Sequence, residues 1–193
     1  MAGSRDRPRK ASITERRERR AAVETVAEVL DAAARFLEAR PRSIGEVRRR
    51  LVTAGYRPDL VEAAIARLGE LGYLDDEAFA RAWVDSRDRA HPRGEHALRQ
   101  ELRLKGVGRE IVDGVLDERR ASAASDPDRP RADSAAAARL LERSSRALAR
   151  VPDPRMRRQR AYALLARHGF SPDACAEALA EWLAGGADDD GEP

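Results

Sequence analysis

The chain has 193 residues, of which 42% are hydrophobic, 37% are charged and 4% are aromatic. This composition favours packed helices built from Leu, Val, Ile and Ala, and it excludes a fibrous protein. The formal net charge of +3 is too small to predict attraction of the whole molecule to nucleic acid, so the positions of the charges matter more than their total.

The cysteine content and the hydropathy limit where the protein works. Cys175 is the single cysteine, which excludes an internal disulfide framework and a paired-thiol metal site. No apolar run approaches the roughly 20 residues that cross a bilayer, and the N-terminus lacks the apolar core of a secretory signal. We therefore expect a cytoplasmic protein with no membrane partner.

Three stretches lack the apolar spacing of a packed helix. Residues 1–22 are rich in arginine and predict a disordered basic arm, whereas residues 186–193 predict a disordered acidic tail. Residues 121–133 contain Pro127 and Pro130 and predict a linker, at which the segment that follows is expected to hinge.

Between these stretches the sequence repeats itself around Gly55, Gly106 and Gly169. Apolar residues stand four and eight positions before each glycine, and others stand one, six and ten positions after it. These intervals place one apolar stripe on each of two helices. Glycine takes the left-handed backbone that ends a helix, so it joins the two.

A further helix precedes each pair, so the pattern predicts an all-α protein of three tandem three-helix units. The units span residues 23–74, 75–120 and 134–185. Contacts mainly between neighbouring units would make such a chain elongated and curved. The predicted helices are, in chain order, 24–39, 44–54, 58–71, 76–89, 93–105, 109–118, 134–149, 155–167 and 172–184.

Charge separates the second and third helices of every unit. The second helices carry net charges of +2, +2 and +5, and the third helices carry −2, −3 and −3. Arg49 lies roughly 160 to 200° around its helix from Val47 and Leu51, and therefore points away from the core.

We therefore predict that the basic helices bind a partner or DNA. The candidate residues on the basic helices are Arg48, Arg49, Arg50, Arg93, Arg99, Arg103 and Lys105, and those on the acidic helices are Glu62 and Asp113. In the alternative interpretation, basic and acidic helices pair with each other inside each unit and no ligand is implied. Acidic third helices make base reading by a helix-turn-helix improbable, although contacts to a DNA backbone remain open.

The sequence contains no recognisable catalytic or metal site. The three histidines lack the spacing of metal ligands, and no phosphate-binding loop or nucleophile motif is present. Asp75 and Asp76 are interpreted as a helix cap and a contact with the helix dipole rather than as an acid–base pair. We predict a protein that is not an enzyme and uses no metal or cofactor.

The middle unit resembles the RecX family of bacteria. The resemblance rests on the run from Gly72 to Ala80, which reads G-Y-L-D-D-E-A-F-A. Further matching positions are Arg87, Gly94, Leu98, Glu101, Leu102, Lys105, Gly106 and Val107. Ala97 departs from the arginine that is common there, and the third unit is more diverged.

This resemblance implies regulation, mainly inhibition, of the RecA recombinase. Proteins of this family bind in the groove of the RecA filament on single-stranded DNA and reduce ATP hydrolysis and strand exchange. The resemblance is also compatible with a monomer that binds DNA weakly in the absence of RecA. The family motif is structural and assigns packing or capping roles to Asp75, Asp76, Phe79, Leu98, Leu102 and Gly106. Two alternatives are a DNA-backbone-binding architectural protein and a helical scaffold without a nucleic-acid partner.

Overall fold

The chain folds into α-helices throughout the residues described by the structure, which is a computed structural model covering residues 12–124 and 131–186. No strand occurs within those ranges. The helices are α1 (Ile13–Ala21), α2 (Val26–Leu37), α3 (Ile44–Ala54), α4 (Pro58–Glu70), α5 (Asp76–Ala90), α6 (Glu95–Lys105), α7 (Arg109–Ala124), α8 (Ala132–Ala149), α9 (Pro154–Arg167) and α10 (Pro172–Gly186).

The all-α prediction is confirmed. We call α2 to α4 repeat 1, α5 to α7 repeat 2 and α8 to α10 repeat 3. Apart from the C-terminal end of α7, every helix in these repeats begins and ends within two residues of its predicted position. The chain divides into two compact bodies, one extending to Asp75 and containing repeat 1, the other beginning at Asp76 and containing repeats 2 and 3.

A glycine with left-handed backbone forms the turn between the second and third helices of each repeat. The φ angles are 106° at Gly55, 87° at Gly106 and 81° at Gly169, values that residues with a Cβ rarely adopt. The turn brings together the two apolar stripes. Leu102 and Leu165, four residues before their glycines, are fully buried, which confirms the register of the repeat.

The N-terminal stretch is more ordered than the sequence indicated. Ser12 and Glu15 form a capping box that opens α1, and the guanidinium of Arg20 donates to the carbonyl of Ala54 at 3.2 Å. A Cβ on Gly55 would approach the carbonyl oxygen of Arg17 within 3.1 Å, so α1 lies directly against the turn. The expected disordered arm is therefore corrected for residues 12–22, while residues 1–11 lie outside the described residues.

The stretch predicted as a linker is shorter than expected. Helix α7 continues to Ala124 because the residues after its predicted end are mainly alanine and arginine, both good helix formers. Helix α8 begins at Ala132, so 121–124 and 132–133 are helical rather than part of a linker. Residues 125–130, and residues 187–193 of the predicted acidic tail, lie outside the described residues.

A buried arginine joins repeats 2 and 3. The side chain of Arg119 on α7 is 7% exposed and donates two hydrogen bonds to Asp88 on α5, both at 2.9 Å. Its remaining terminal nitrogen donates to Asp133 on α8 at 2.6 Å. Because one cation satisfies carboxylates from both repeats, the repeats pack together and the expected hinge between them is not observed in the described residues.

Close backbone contact reinforces this packing. The backbone N–H of Gly94 donates to the carbonyl of His168 at 3.0 Å, and a Cβ on Gly94 would lie 2.1 Å from the carbonyl oxygen of Gly169. A Cβ on Gly169 would lie 2.5 Å from the Cβ of Ala97. The small residue at position 97, noted above as a departure from the family pattern, therefore stands where two repeats meet.

Replacing Arg119 by glutamine should lower the free energy of unfolding by about 2 to 3 kcal/mol, because it leaves two partly buried carboxylates without their cation. Urea unfolding measures the change. The matched control is Arg120→Gln, one residue along but mostly exposed, which should change stability by less than about 0.5 kcal/mol. Equal effects of the two substitutions would contradict the role given to Arg119.

Candidate partner-binding surface

An ion pair recurs between the second and third helices of repeats 1 and 2. In repeat 1, Nε and Nη2 of Arg48 donate to the carboxylate of Glu62 at 2.6 and 2.8 Å. In repeat 2, Nε of Arg99 donates to Asp113 at 3.2 Å. Each arginine stands seven residues before its turn glycine and each carboxylate seven residues after it. The glycine turn thus sets the register in which opposite charges meet.

These arginines lower the pKa of their partner carboxyl groups. The hydrogen bond from Arg48 lowers the pKa of Glu62 below its ordinary value of 4.5. The hydrogen bond from Arg99 lowers the pKa of Asp113 below 3.8, and Arg109 contributes a further hydrogen bond at 3.3 Å. Both carboxylates therefore carry a full negative charge at neutral pH, and their charge faces an arginine of the same repeat.

Four of the candidate contact residues are thus engaged within their own repeats. The interpretation in which basic and acidic helices pair internally describes Arg48, Arg99, Glu62 and Asp113. Arg99 is engaged twice, since it also donates to Glu95 at 2.9 Å. The side chains of Arg48 and Glu62 remain about half exposed, so the pair lies at the surface and contributes little net charge to it.

Three further candidates, Arg49, Arg50 and Arg103, point outward from α3 and the last turn of α6. Arg49 and Arg103 are exposed, and neither forms an ion pair with any residue that the structure describes. Arg50 is also exposed, with its guanidinium carbon 5.7 Å from the ring centroid of Phe36. The orientation predicted for Arg49 from helical periodicity is confirmed. These three are the outward guanidinium groups among the predicted candidates.

Arg93 and Lys105 belong to a cluster around Trp83. The Nζ atom of Lys105 lies 4.0 Å from the indole centroid, and the guanidinium carbon of Arg87 lies 4.4 Å from it. Glu101 accepts hydrogen bonds from the indole N–H at 2.8 Å and from Arg87 at 2.7 Å. Nε of Arg93 is 3.4 Å from Glu101 but is buried without a hydrogen bond. The cluster ties α5 to α6.

The sequence pattern did not reveal this polar network. Trp83 stands four residues after Phe79, a spacing that places both on one helix face, and the two rings stack with centroids 6.1 Å apart. Only the fold brings Trp83 to Glu101, because the two residues lie on different helices and no local spacing connects them.

The other motif residues occupy packing and helix-end positions. Leu98 and Leu102 are fully buried in the core of repeat 2, Phe79 is nearly so, and Gly106 caps the C-terminus of α6. Asp75 immediately precedes α5 and Asp76 is its first residue, where a carboxylate interacts favourably with the helix dipole.

The described residues contain no group of three or more His, Cys, Asp or Glu side chains arranged to hold a metal ion. In the same part of the chain, no helix combines the length and apolarity needed to span a membrane.

Repeat 3 lacks the recurring ion pair. Seven residues before and after Gly169 stand Tyr162 and Ala176, neither of which carries a charge at neutral pH. Helix α9 has the highest net positive charge of any second helix, but none of its residues is among the predicted contact residues. Four arginines of this helix are exposed and without ion pairs to described residues, namely Arg155, Arg158, Arg160 and Arg167.

Three sequence models of known domains match the chain in order. They are described as the first, second and third three-helix domains of RecX, and they match residues 24–68, 75–116 and 132–179. The chain belongs to the RecX family. The three matches correspond to repeats 1, 2 and 3 of the fold.

Curated RecX proteins align with this chain over most of its length. Regulatory protein RecX of Mycobacterium avium is 38% identical over 78% of this chain and 82% of its own. Regulatory protein RecX of Chlorobium phaeobacteroides is 31% identical over 77% and 89%. The relative from Mycolicibacterium vanbaalenii is 44% identical over a shorter alignment, which spans 42% of this chain and 45% of the relative.

Solved RecX structures share the fold. The crystal structure of RecX from Lactobacillus salivarius covers 81% of this chain and 95% of its own, with a TM-score of 0.67 at 18% identity. A second crystal structure, of a regulatory protein RecX, covers 77% of this chain and 70% of its own, with a TM-score of 0.64 at 23% identity. At these sequence identities, the structural similarity shows a shared fold.

The ion pair of repeat 1 predicts a definite pH dependence. Because the pKa of Glu62 is lower in the folded chain than in the unfolded chain, the contribution of the pair is complete above pH 4.5 and is lost as the pH falls through the lowered value. Glu62→Gln should therefore make the free energy of unfolding fall less steeply with decreasing pH below 4.5. Denaturant unfolding at a series of pH values measures the slope.

Arg48→Gln tests the same pair from the other side. It should flatten the acid dependence by the same amount as Glu62→Gln, and the double variant should add nothing further. An acid dependence equal to that of the parent in all three variants would contradict the pairing.

Proposed function

We propose that this chain regulates a RecA recombinase by docking on the RecA filament that forms on single-stranded DNA. Its main effect is inhibition: it lowers ATP hydrolysis, strand exchange and filament extension, and so limits recombinational DNA repair in the cytoplasm. The observation that carries this proposal is the presence of all three RecX domains in their family order. The curated relatives bear the name regulatory protein, which agrees with a role of this kind.

The chemistry of the chain suits action by binding. The motif residues of repeat 2 pack the core or end helices, so they supply a rigid frame for the side chains outside it. A monomer of this type needs no metal or cofactor, because its effect comes from occupying the filament surface and not from a reaction of its own.

The outward guanidinium groups are the candidate contacts with the filament. Arg49 and Arg103 extend from helices whose other faces are buried, and neither is neutralised by a described carboxylate. Guanidinium groups form paired hydrogen bonds with carboxylate or phosphate, and both acceptors are available on a protein filament that contains DNA. Arg48 and Arg99 act differently, because their pairing with Glu62 and Asp113 holds the second and third helices together.

The test is the ATPase rate of RecA on single-stranded DNA, measured while this protein is titrated in. The parent chain should inhibit hydrolysis. The double variant Arg49→Glu with Arg103→Glu should need at least about tenfold more protein for half-inhibition, because each reversal removes an attraction and adds repulsion of similar size. Circular dichroism should show parent-like helix content, since both positions are exposed.

The matched control is Arg67→Glu with Arg109→Glu, which makes the same charge change on exposed positions of the third helices. It should inhibit within about twofold of the parent. Inhibition by the Arg49 and Arg103 variant at the parent's concentration would refute the assigned contacts, and absence of inhibition by the parent would refute the proposed function.

A further inference from the structure

Helix α9 carries more exposed, unpaired arginines than either of the other second helices within the described residues. Arg155, Arg158 and Arg160 are exposed and form no ion pair within the described residues. Arg157 differs, since its Nε donates to the carbonyl of Val151 at 3.1 Å and its side chain is partly buried. Within repeats 1 and 2, one arginine of the second helix pairs with a carboxylate of the third, whereas no arginine of α9 pairs with a described carboxylate of α10.

The residues at the ion-pair positions of repeat 3 carry no charge at neutral pH. Tyr162 replaces the paired arginine and Ala176 replaces the paired carboxylate. Four residues before the pair position, Glu95 of repeat 2 is likewise replaced by Arg158. A carboxylate that holds Arg99 in repeat 2 thus becomes a second cation in repeat 3, and the surface between α9 and α10 loses its acidic groups at these positions.

A surface cleft of about 450 Å³ lies between α9 and α10, and both Tyr162 and Ala176 line it. Its walls combine cationic, aromatic and apolar groups and include no carboxylate, and its lining residues are Arg155, Arg158, Gln159, Tyr162, Ala176 and Leu179. Arg155, Arg158 and Tyr162 follow the i, i+3, i+7 spacing of one helix face, over a length of about 10 Å. Tyr162 is 43% exposed.

We propose that this face of α9, defined by Arg155, Arg158 and Tyr162, is a binding site for single-stranded nucleic acid. The two guanidinium groups bind backbone phosphates through charge-assisted hydrogen bonds, and the exposed tyrosine ring stacks on a base. Stacking requires a base whose face is accessible, which single strands offer and a duplex does not. The site therefore selects single strands by stacking and holds them by charge.

An exposed aromatic ring distinguishes this ligand from an acidic protein surface. Carboxylates alone would be bound by the arginines and would gain nothing from the ring, whereas phosphate and base use both kinds of side chain. The site belongs to repeat 3 and is separate from the filament contacts proposed for Arg49 and Arg103. Direct binding is expected without any recombinase, so it can succeed or fail independently of the proposed function.

The experiment is fluorescence anisotropy of a labelled oligothymidylate titrated with the full chain, in the absence of RecA and at several salt concentrations. Arg155→Glu with Arg158→Glu should weaken binding about tenfold or more. It should also reduce the slope of log affinity against log salt by roughly 1.4, because each phosphate contact on a single strand contributes about 0.7 to that slope.

Tyr162→Ala should weaken binding about fivefold or more, while Tyr162→Phe keeps the ring and should remain within about twofold of the parent.

The control is the double variant Arg67→Glu with Arg109→Glu, which changes the net charge by the same amount as the α9 double reversal. This variant should bind the oligonucleotide like the parent after correction for net charge. Circular dichroism and thermal melting establish that the α9 variants are folded. The proposal is overturned if the parent does not bind the oligonucleotide, if the α9 variants bind as the parent does, or if a duplex of equal length binds equally well. Displacement of the oligonucleotide by polyglutamate at equal charge concentration would assign the face to acidic protein and would also overturn it.

Discussion

The left-handed glycine turn is the constraint on which each repeat depends. It fixes the angle between second and third helices, so the residues four before and six after the glycine meet in the core. The same geometry brings the residues seven before and seven after it together at the surface. Gly55 and Gly106 therefore determine the apolar packing of their repeats and also the register of the Arg48–Glu62 and Arg99–Asp113 pairs. A side chain at either glycine would disturb both, since φ near +90° is strained for any residue with a Cβ.

This register changes the meaning of the charge segregation. A count by helix gives one basic and one acidic helix in each repeat, which suggests two oppositely charged faces. In repeats 1 and 2, an arginine of the second helix is neutralised by a carboxylate of the third. The arginines at other positions of the second helix, such as Arg49 and Arg103, remain for a partner. Repeat 3 keeps the turn, with Gly169 in the same conformation, but has no charge at the pairing positions. The fold is thus the same in all three repeats while their surfaces differ.

The sequence predicted the helices well because their signals are local. Periodic apolar residues and the turn glycines each act over a few residues, and α3, which the structure opens with a capping box of Ser43 and Glu46, forms with the predicted bounds. The outward direction of Arg49 follows from the same periodicity. Helix α1 buries no residue and has no apolar stripe, so the apolar periodicity did not predict it. A capping box and the hydrogen bond from Arg20 to Ala54 place it instead.

Contacts between helices could not be predicted from the pattern of any single helix. The pairing of Arg48 with Glu62 needs the angle between two helices, and the burial of Arg119 needs the packing of repeat 3 on repeat 2. Neither quantity is encoded in local spacing. The family resemblance did not supply them either, because its motif marks packing and helix-end positions. The proline-containing stretch before repeat 3 suggested a hinge, but Arg119 and the Gly94–Gly169 contact join the repeats by interactions that lie outside that stretch.

The central claim is that the paired charges stabilise the contact between the second and third helices of their own repeat, while the unpaired ones contact the partner. The most direct measurement exchanges the repeat 1 pair, with Arg48→Glu and Glu62→Arg in one chain, and follows both urea unfolding and inhibition of the RecA ATPase. The exchanged chain should be more stable than either single reversal, because opposite charges still meet, and it should inhibit as the parent does. A chain that regains its stability on exchange but no longer inhibits would contradict the account, since it would show that the partner contacts these two charges directly.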